Sequence, residues 1–358
     1  MYRKGGVVSV AQLFEVKEID VKFYEEQLKE FLPDQIIDIH THVWLNKFRV
    51  KEEDACNMPV RSATWPSLVA KDNSVEDLIQ TYKLMFPDKK VTPLIFGHPL
   101  IEYDIAKSND YIEECSKRFG FPSLILSIPE WSGAELEEKI IRGGFLGSKV
   151  YLNYAKPYIP QNEIRIFDFL PEHQLDVLNK HGWIVMLHLP RNKRLKDPVN
   201  LAQLLEIEQN YPRLKLVVAH VGRTYCPEDV GDAFEVLTGT KNMVFDFSAN
   251  TNQFVFERLI ETVGASRILF GSDMPILRMR MRRICENGNY VNLVPKGLYG
   301  NISGDVHMRE VDGADAEKLT YFMYEEIAAF KHAAASMELK KEDIENIFYN
   351  NAVSILGL

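Results

Sequence analysis

The chain is poor in cysteine, with four among 358 residues, at Cys56, Cys115, Cys226 and Cys285 and with no C-x-x-C pair. That excludes a disulfide-dense scaffold, and isolated cysteines are expected where thiols stay reduced, which points to the cytoplasm. Long apolar runs are also missing. Nothing approaches the roughly 20 residues of a spanning helix, and the apolar stretch behind Arg3 and Lys4 reaches Glu15 and Lys17 without a small-residue cleavage site, so neither membrane insertion nor a secretory signal is expected. Positive charge is in deficit, with 42 Lys+Arg against 51 Asp+Glu and a formal charge of −9. This disfavours nucleic acid as a partner, and an anionic ligand has to be met by a local basic patch. No short-period repeat and no low-complexity tract occurs, which excludes solenoids and linker-joined arrays.

What remains is a globular mixture, 46% hydrophobic and 26% charged, large enough for one barrel or two ordinary domains. Eight short apolar, β-rich runs recur at 36–43, 91–97, 123–129, 145–152, 183–189, 214–221, 242–248 and 267–273. Between them lie helical signals. Ser74 with Asp77 and Ser132 with Glu135 read as capping boxes, and 168–182 ends on Gly182. Strands separated by helices pair in parallel, and eight such units predict an α/β fold of the (β/α)8 TIM-barrel class rather than an open sheet. Residues 1–35, with a helix over 17–32, form an N-terminal helical extension packed on a single barrel domain over 36–358. Helices over 316–337 and 341–357 follow the last strand, and 274–315 reads as a long active-site loop or lid.

The strongest local signal is Asp38-Ile39-His40-Thr41-His42. Period 2 places His40 and His42 on one face of an apolar strand, where two imidazoles can reach one ion. His188, His220 and Asp273 each close a run apolar enough to be buried on both faces, so all converge where a barrel carries its chemistry. His173, His181 and His332 read as ordinary helix positions. His98 lies at a strand end within reach of a substrate, and His307 lies in the long loop.

His40-x-His42 on the first strand, His188 ending the fifth, AHVGR with His220 ending the sixth and LFGSDMP with Asp273 ending the eighth resemble the amidohydrolase superfamily, and within it the amidohydrolase-related TIM-barrel metal-dependent hydrolases, a group that includes decarboxylases. The resemblance runs from about residue 36 to 358. It implies one divalent metal, zinc in the first place and manganese in the second, held by His40, His42 and His188, with Asp273 as a further ligand or as proton acceptor for a metal-activated water. His220 would polarise the substrate or shuttle a proton. Lys149, on the fourth strand, has three open roles: a carbamate bridging a second metal, a substrate contact, or a solvent-facing residue. Tyr151 and Tyr154 share its neighbourhood.

Arg278, Arg280, Arg282 and Arg283 follow the eighth strand and Arg223 the sixth, as an anion-selecting group or as a solvated helix face. Trp44 and Arg49 are expected as pocket walls. The function expected is a metal-dependent hydrolase cleaving an amide or lactone bond in a small anionic substrate. The first alternative is a decarboxylase or hydratase on the same site, and the second a barrel that binds without catalysis. Homo-oligomers through the outer helices are common for this architecture.

Overall fold

Parallel pairing organises the described residues, 13–50, 61 and 69–358, of a computed structural model; Cys56, Arg3 and Lys4 lie outside them. Strands β1 (Gln35–His42) and β2 (Lys90–Phe96) pair with each other. Strands β3 (Ile125–Leu126), β4 (Gly147–Val150), β5 (Ile184–Leu187), β6 (Lys215–Val218), β7 (Val244–Asp246) and β8 (Ile268–Leu269) form one six-stranded sheet in sequence order. Isolated parallel bridges, Ile95 to Ser123 and Thr41 to Met274, connect the two sheets at both edges. The expected α/β pattern with a parallel central sheet is present.

The strands are short and buried on both faces, as parallel strands covered by helices must be. The crossover helices follow the expected chemistry. Ser74 caps Val75–Met85 with the reciprocal Asp77 bond, Ser132 accepts from the Glu135 amide at the head of Gly133–Gly143, and Gly182 ends Glu172–His181 in the left-handed conformation. That last helix is shorter than 168–182 because a separate 3-10 turn, Ile166–Asp168, precedes Pro171. The helix expected over 17–32 is present as Glu18–Phe23 continuing into a π-helical turn to Leu28. The stretch 316–337 is helical as Phe322–Ser336.

Two expectations are overturned. The segment 274–315 is not one loop. It carries a three-stranded sheet in which β9 (Arg282–Glu286) and β10 (Asn289–Pro295) form an antiparallel hairpin and β11 (Met308–Val311) pairs in parallel with β10. The turn is Asn287-Gly288, both at positive φ (52° and 74°), the backbone that Asn-Gly adopts without steric conflict in a two-residue hairpin. The cysteines do not all stand alone either. Cys226 and Cys285 are joined in a disulfide 59 residues apart in sequence, because the hairpin folds back over the segment after β6. The inference from reduced thiols to a compartment therefore loses its premise. Among the described residues no helix is long and apolar enough to cross a membrane.

Candidate metal centre and substrate pocket

Strand β1 delivers two imidazoles to one point, and backbone or acidic acceptors fix both. His40 Nδ1 bonds Asp246 Oδ2 at 2.9 Å and His42 Nδ1 bonds the Gly97 carbonyl at 2.9 Å. Each Nε2 then faces Asp273 Oδ1, at 3.5 Å from His40 and 3.2 Å from His42. His220 Nδ1 lies 2.8 Å from Ser248 Oγ, which itself donates to Asp246 Oδ1 at 2.5 Å. Ser248 is thus the acceptor for His220 Nδ1–H, and Nε2 keeps its lone pair. Asp246 also receives the amide of His220 at 2.8 Å. One carboxylate at the end of β7 orients both His40 and His220, as outer-sphere carboxylates orient metal-binding histidines.

The backbone at these strand ends is unusual. His220, Val221, Arg223, Ala249 and Asp273 take positive φ of 58, 49, 66, 54 and 52°, a conformation that costs non-glycine residues about 1–3 kcal/mol each. Gly271 supplies the opposite economy. A Cβ there would lie 2.9 Å from His40 Cβ and 3.4 Å from Asp246 Cβ, so only glycine lets β8 pass so close to the imidazole. Asp38, buried beneath, accepts from the amides of His40 (3.2 Å) and Ser272 (2.8 Å) and from Tyr82 Oη (2.8 Å), tying the histidine strand to the residue before Asp273. Burial pushes its carboxyl up to about 7 against those hydrogen bonds.

Electrostatics make the cluster a receptor for a cation. Burial, reinforced by the Lys149 charge, pulls His40 well below the usual imidazole range, and burial with the Arg223 charge does the same to His188; His220 is lowered by burial. Neutral imidazoles present lone pairs. Asp273 is raised by burial, but the His42 hydrogen bond and the surrounding imidazoles outweigh this and hold it below the ordinary carboxylate range. His40, His42 and Asp273 offer ligand atoms within 4.8 Å of one another, the chemistry and spacing that suit a divalent ion. A second such trio, His40, His220 and Asp246, is already satisfied internally by the hydrogen bonds above. His188 belongs to neither trio. It stands against the His220 ring (centroids 5.4 Å) and Tyr151 (4.5 Å), and its buried Nδ1 has no hydrogen-bond partner among the described residues.

These groups floor one cavity of about 150 Å³, room for a small molecule and not for a polymer. His40, His42, His188, His220 and Asp273 line it together with Lys149, Arg223, Tyr151 and Trp44. Lys149 is fully buried with Nζ 3.4 Å from His40 Nε2, so its solvent-facing alternative is excluded, and burial draws its ammonium down to about 8. Arg223 donates only to the carbonyls of Leu189, Pro190 and Arg191. His98 also lines the cavity, stacked on Tyr103 at 4.7 Å, and burial lowers it to about 3.

Other expectations separate. Arg49 pairs with Glu102 at the surface, and Tyr154 is buried outside the cavity lining. The arginines after β8 do not act together. Arg278 donates to the Val69 carbonyl, Arg280 to Asp20 and Arg282 to Glu325, and only Arg283 lines the cavity. His307 stacks on Tyr290 rather than forming a lid of its own. Sequence reasoning missed Arg61, Tyr225 and Tyr290 on the walls, and Asp246 and Ser248 behind the histidines. An acid and a serine inside VFDFS, an otherwise apolar run, were the available signal.

The amidohydrolase family model matches residues 37–283. No curated protein matches the sequence. Among solved structures, a probable 2-pyrone-4,6-dicarboxylic acid hydrolase from Acinetobacter baumannii with citric acid bound superposes with a TM-score of 0.56 at 16% identity, covering 90% of this chain and 99% of that one. An amidohydrolase from Burkholderia multivorans with bound HEPES gives 0.56 at 13% identity, covering 90% and 99%. A 2,6-dihydroxybenzoate decarboxylase bound to 2,6-dihydroxybenzoate gives 0.53 at 14% identity, covering 91% and 100%.

Proposed function

The chain belongs to the amidohydrolase family and is an enzyme, and from that premise we propose that it is a metal-dependent hydrolase that cleaves an amide or lactone bond in a small carboxylate-bearing molecule. The same reading takes the eight parallel strands as a (β/α)8 barrel, supported by the Ile95–Ser123 and Thr41–Met274 bridges between the two parallel sheets. The observation that carries the function is that His40, His42 and His220 are anchored through Nδ1, while the Nε2 atoms of His40 and His42 lie 3.5 and 3.2 Å from one oxygen of an ionised Asp273.

His40, His42 and Asp273 would hold one divalent ion, zinc or manganese, with His188 beside them. Such an ion, when bound, supplies a Lewis acid and brings the pKa of a water toward neutrality. Asp273, ionised throughout the working range, accepts a proton from the attacking water. His220 then takes this proton from Asp273 at Nε2, backed through Nδ1 by Ser248 and Asp246, and gives it to the leaving group, which restores both residues. Lys149 and Arg223 hold the substrate carboxylate, while Trp44 and Tyr151 bound its apolar part. Among the described lining residues Asp273 is the one acid, against Lys149, Arg61, Arg223 and Arg283, and this excess of positive charge supports an anionic substrate. The same excess would also hold a carboxylate about to be lost, which supports decarboxylation as the alternative; that reaction releases CO2 without net addition of water.

Elemental analysis of protein purified without added metal tests the assignment. About one equivalent of metal is expected, lost in the His40→Ala/His42→Ala double variant, with turnover abolished in Asp273→Ala while the fold is kept. No metal in either protein, or full activity in Asp273→Ala, overturns it.

A further inference from the structure

Part of the cavity wall is built from two segments far apart in sequence. Arg283 and Tyr290 come from the β9–β10 hairpin, and Tyr225 follows His220 and Arg223. The Arg283 guanidinium lies over Tyr225, Tyr290 and Phe322, at 4.8, 4.5 and 4.6 Å from the ring centroids. A second guanidinium shares the two tyrosines, since Arg194 lies 5.1 and 5.2 Å from them.

The two arginines differ in what neutralises them. Arg194 is paired with Asp229. Arg283 donates from Nε to Asn292 Oδ1 at 2.8 Å and from Nη1 to the Ala249 carbonyl; among the described residues its Nη2 has no acceptor, and the charge of buried Glu326 acts on it without forming an ion pair. A desolvated guanidinium without a counter-charge is costly unless an anion completes it, and three aromatic faces only partly substitute. Arg283 borders the cavity, where an anion of the substrate can reach it. Cys285, two residues further along β9, is bonded to Cys226, the neighbour of Tyr225. That bond joins the strand carrying the guanidinium to the segment carrying the ring beneath it.

We propose that Arg283 is a specificity-determining residue that receives a second carboxylate of the substrate, remote from the bond being cleaved, and that the Cys226–Cys285 disulfide positions it there. The favoured substrates are then flat dicarboxylates, one acid group held at Lys149 and Arg223 and the other at Arg283. This deepens the proposed function and rests on its anionic substrate.

Calorimetric titration of the full-length protein with isophthalate and with benzoate tests it without any turnover. The native protein should bind isophthalate at least about tenfold tighter than benzoate, the scale of one charge-assisted hydrogen-bonded contact. Arg283→Gln should erase that preference while leaving benzoate affinity in place. Arg283→Lys, which keeps the charge and loses the planar fork, should retain only part of it. The Cys226→Ser/Cys285→Ser double variant should lose most of it, and a reductant should do the same to the native protein and nothing more to the double variant. No preference in the native protein, or an undiminished one in Arg283→Gln, overturns the role of Arg283. An undiminished preference without the disulfide overturns the tether. A preserved dicarboxylate preference in a protein without metal or turnover would instead count against the hydrolase assignment alone.

Discussion

At the scale of single residues, the burden on Asp246 is the most exposed to test. Its Oδ1 serves His220 and Ser248 while Oδ2 serves His40. In Asp246→Asn the amide oxygen can keep the first set, which leaves the amide NH2 facing His40 Nδ1–H, donor against donor. His40 must then move its proton to Nε2, where the lone pair is needed. Metal affinity is expected to fall about 10–100-fold, read by competition with a chelator, with circular dichroism unchanged; an Asn variant that holds metal as tightly as the native protein removes this role. Glu326 gives a second residue-level prediction. Burial raises its carboxyl well above the usual range, against a bond from the Asn250 amide and with the charges of Asp38 and Asp246 adding to the rise, and its Oε1 has no hydrogen-bond partner among the described residues. The folded state keeps this proton while the unfolded chain releases it, so as pH rises above the unfolded carboxyl value the group withdraws stability. Thermal melts of Glu326→Gln should therefore gain on the native protein from pH 5 to 8, and a difference independent of pH would show that Glu326 is ionised in the fold. Strand period made His40 and His42 legible in the sequence. Asp246 and Glu326 were not, because their importance comes from partners about 200 and 76 residues away.

At the scale of elements, the helical caps and the apolar runs were legible because they are local. Ser74 with Asp77 and Gly182 act within one turn. The hairpin β9–β10 was also written locally, in Asn287-Gly288 between two β-capable runs, but the Arg and Met content of 278–283 competed with it as a helical reading. Arg280 shows how such a segment is divided. It donates to Asp20 at 2.9 and 2.6 Å inside the protein, where Thr320 Oγ1 and the Lys17 amide complete the carboxylate. This pins the Glu18–Phe23 helix to the segment after β8. Removing one partner leaves a buried charge, so Asp20→Ala should cost about 3–5 kcal/mol in urea unfolding, while the Asp20→Ala/Arg280→Met double variant should recover much of it. Strict additivity of the two single losses would show that the pair is not coupled.

At the scale of the whole molecule, stability and chemistry are separated along the strands. The groups that line the cavity sit at or just beyond the carboxyl ends, on His42, His188, His220 and Asp273. The amino ends are closed by the chain's last segment. Lys215 Nζ donates to the Ile355 carbonyl at 2.7 Å, Asn351 Nδ2 to those of Ala265 and Ile268 at 2.8 and 2.9 Å, and the Phe270 amide to Ile347 at 3.1 Å. Ala352 and Leu356 complete the inner core with Ile37, Leu94, Ile184, Val217, Val244 and Leu269, which come from six of the strands β1–β8. The sequence signalled a final helix over 341–357 and not that it plugs the strands, since its partners are scattered from residue 37 to residue 269. Leu356→Ala removes side-chain volume from the end of the core away from the histidines, and should cost about 2–5 kcal/mol. Metal content, and kcat below the melting transition, should stay at native values because the hydrogen bonds of His40, His220 and Asp246 lie at the opposite ends of the strands. A loss of metal in Leu356→Ala that matches its loss of stability would mean that the two ends are coupled through the core, and would make the C-terminal helix part of the site.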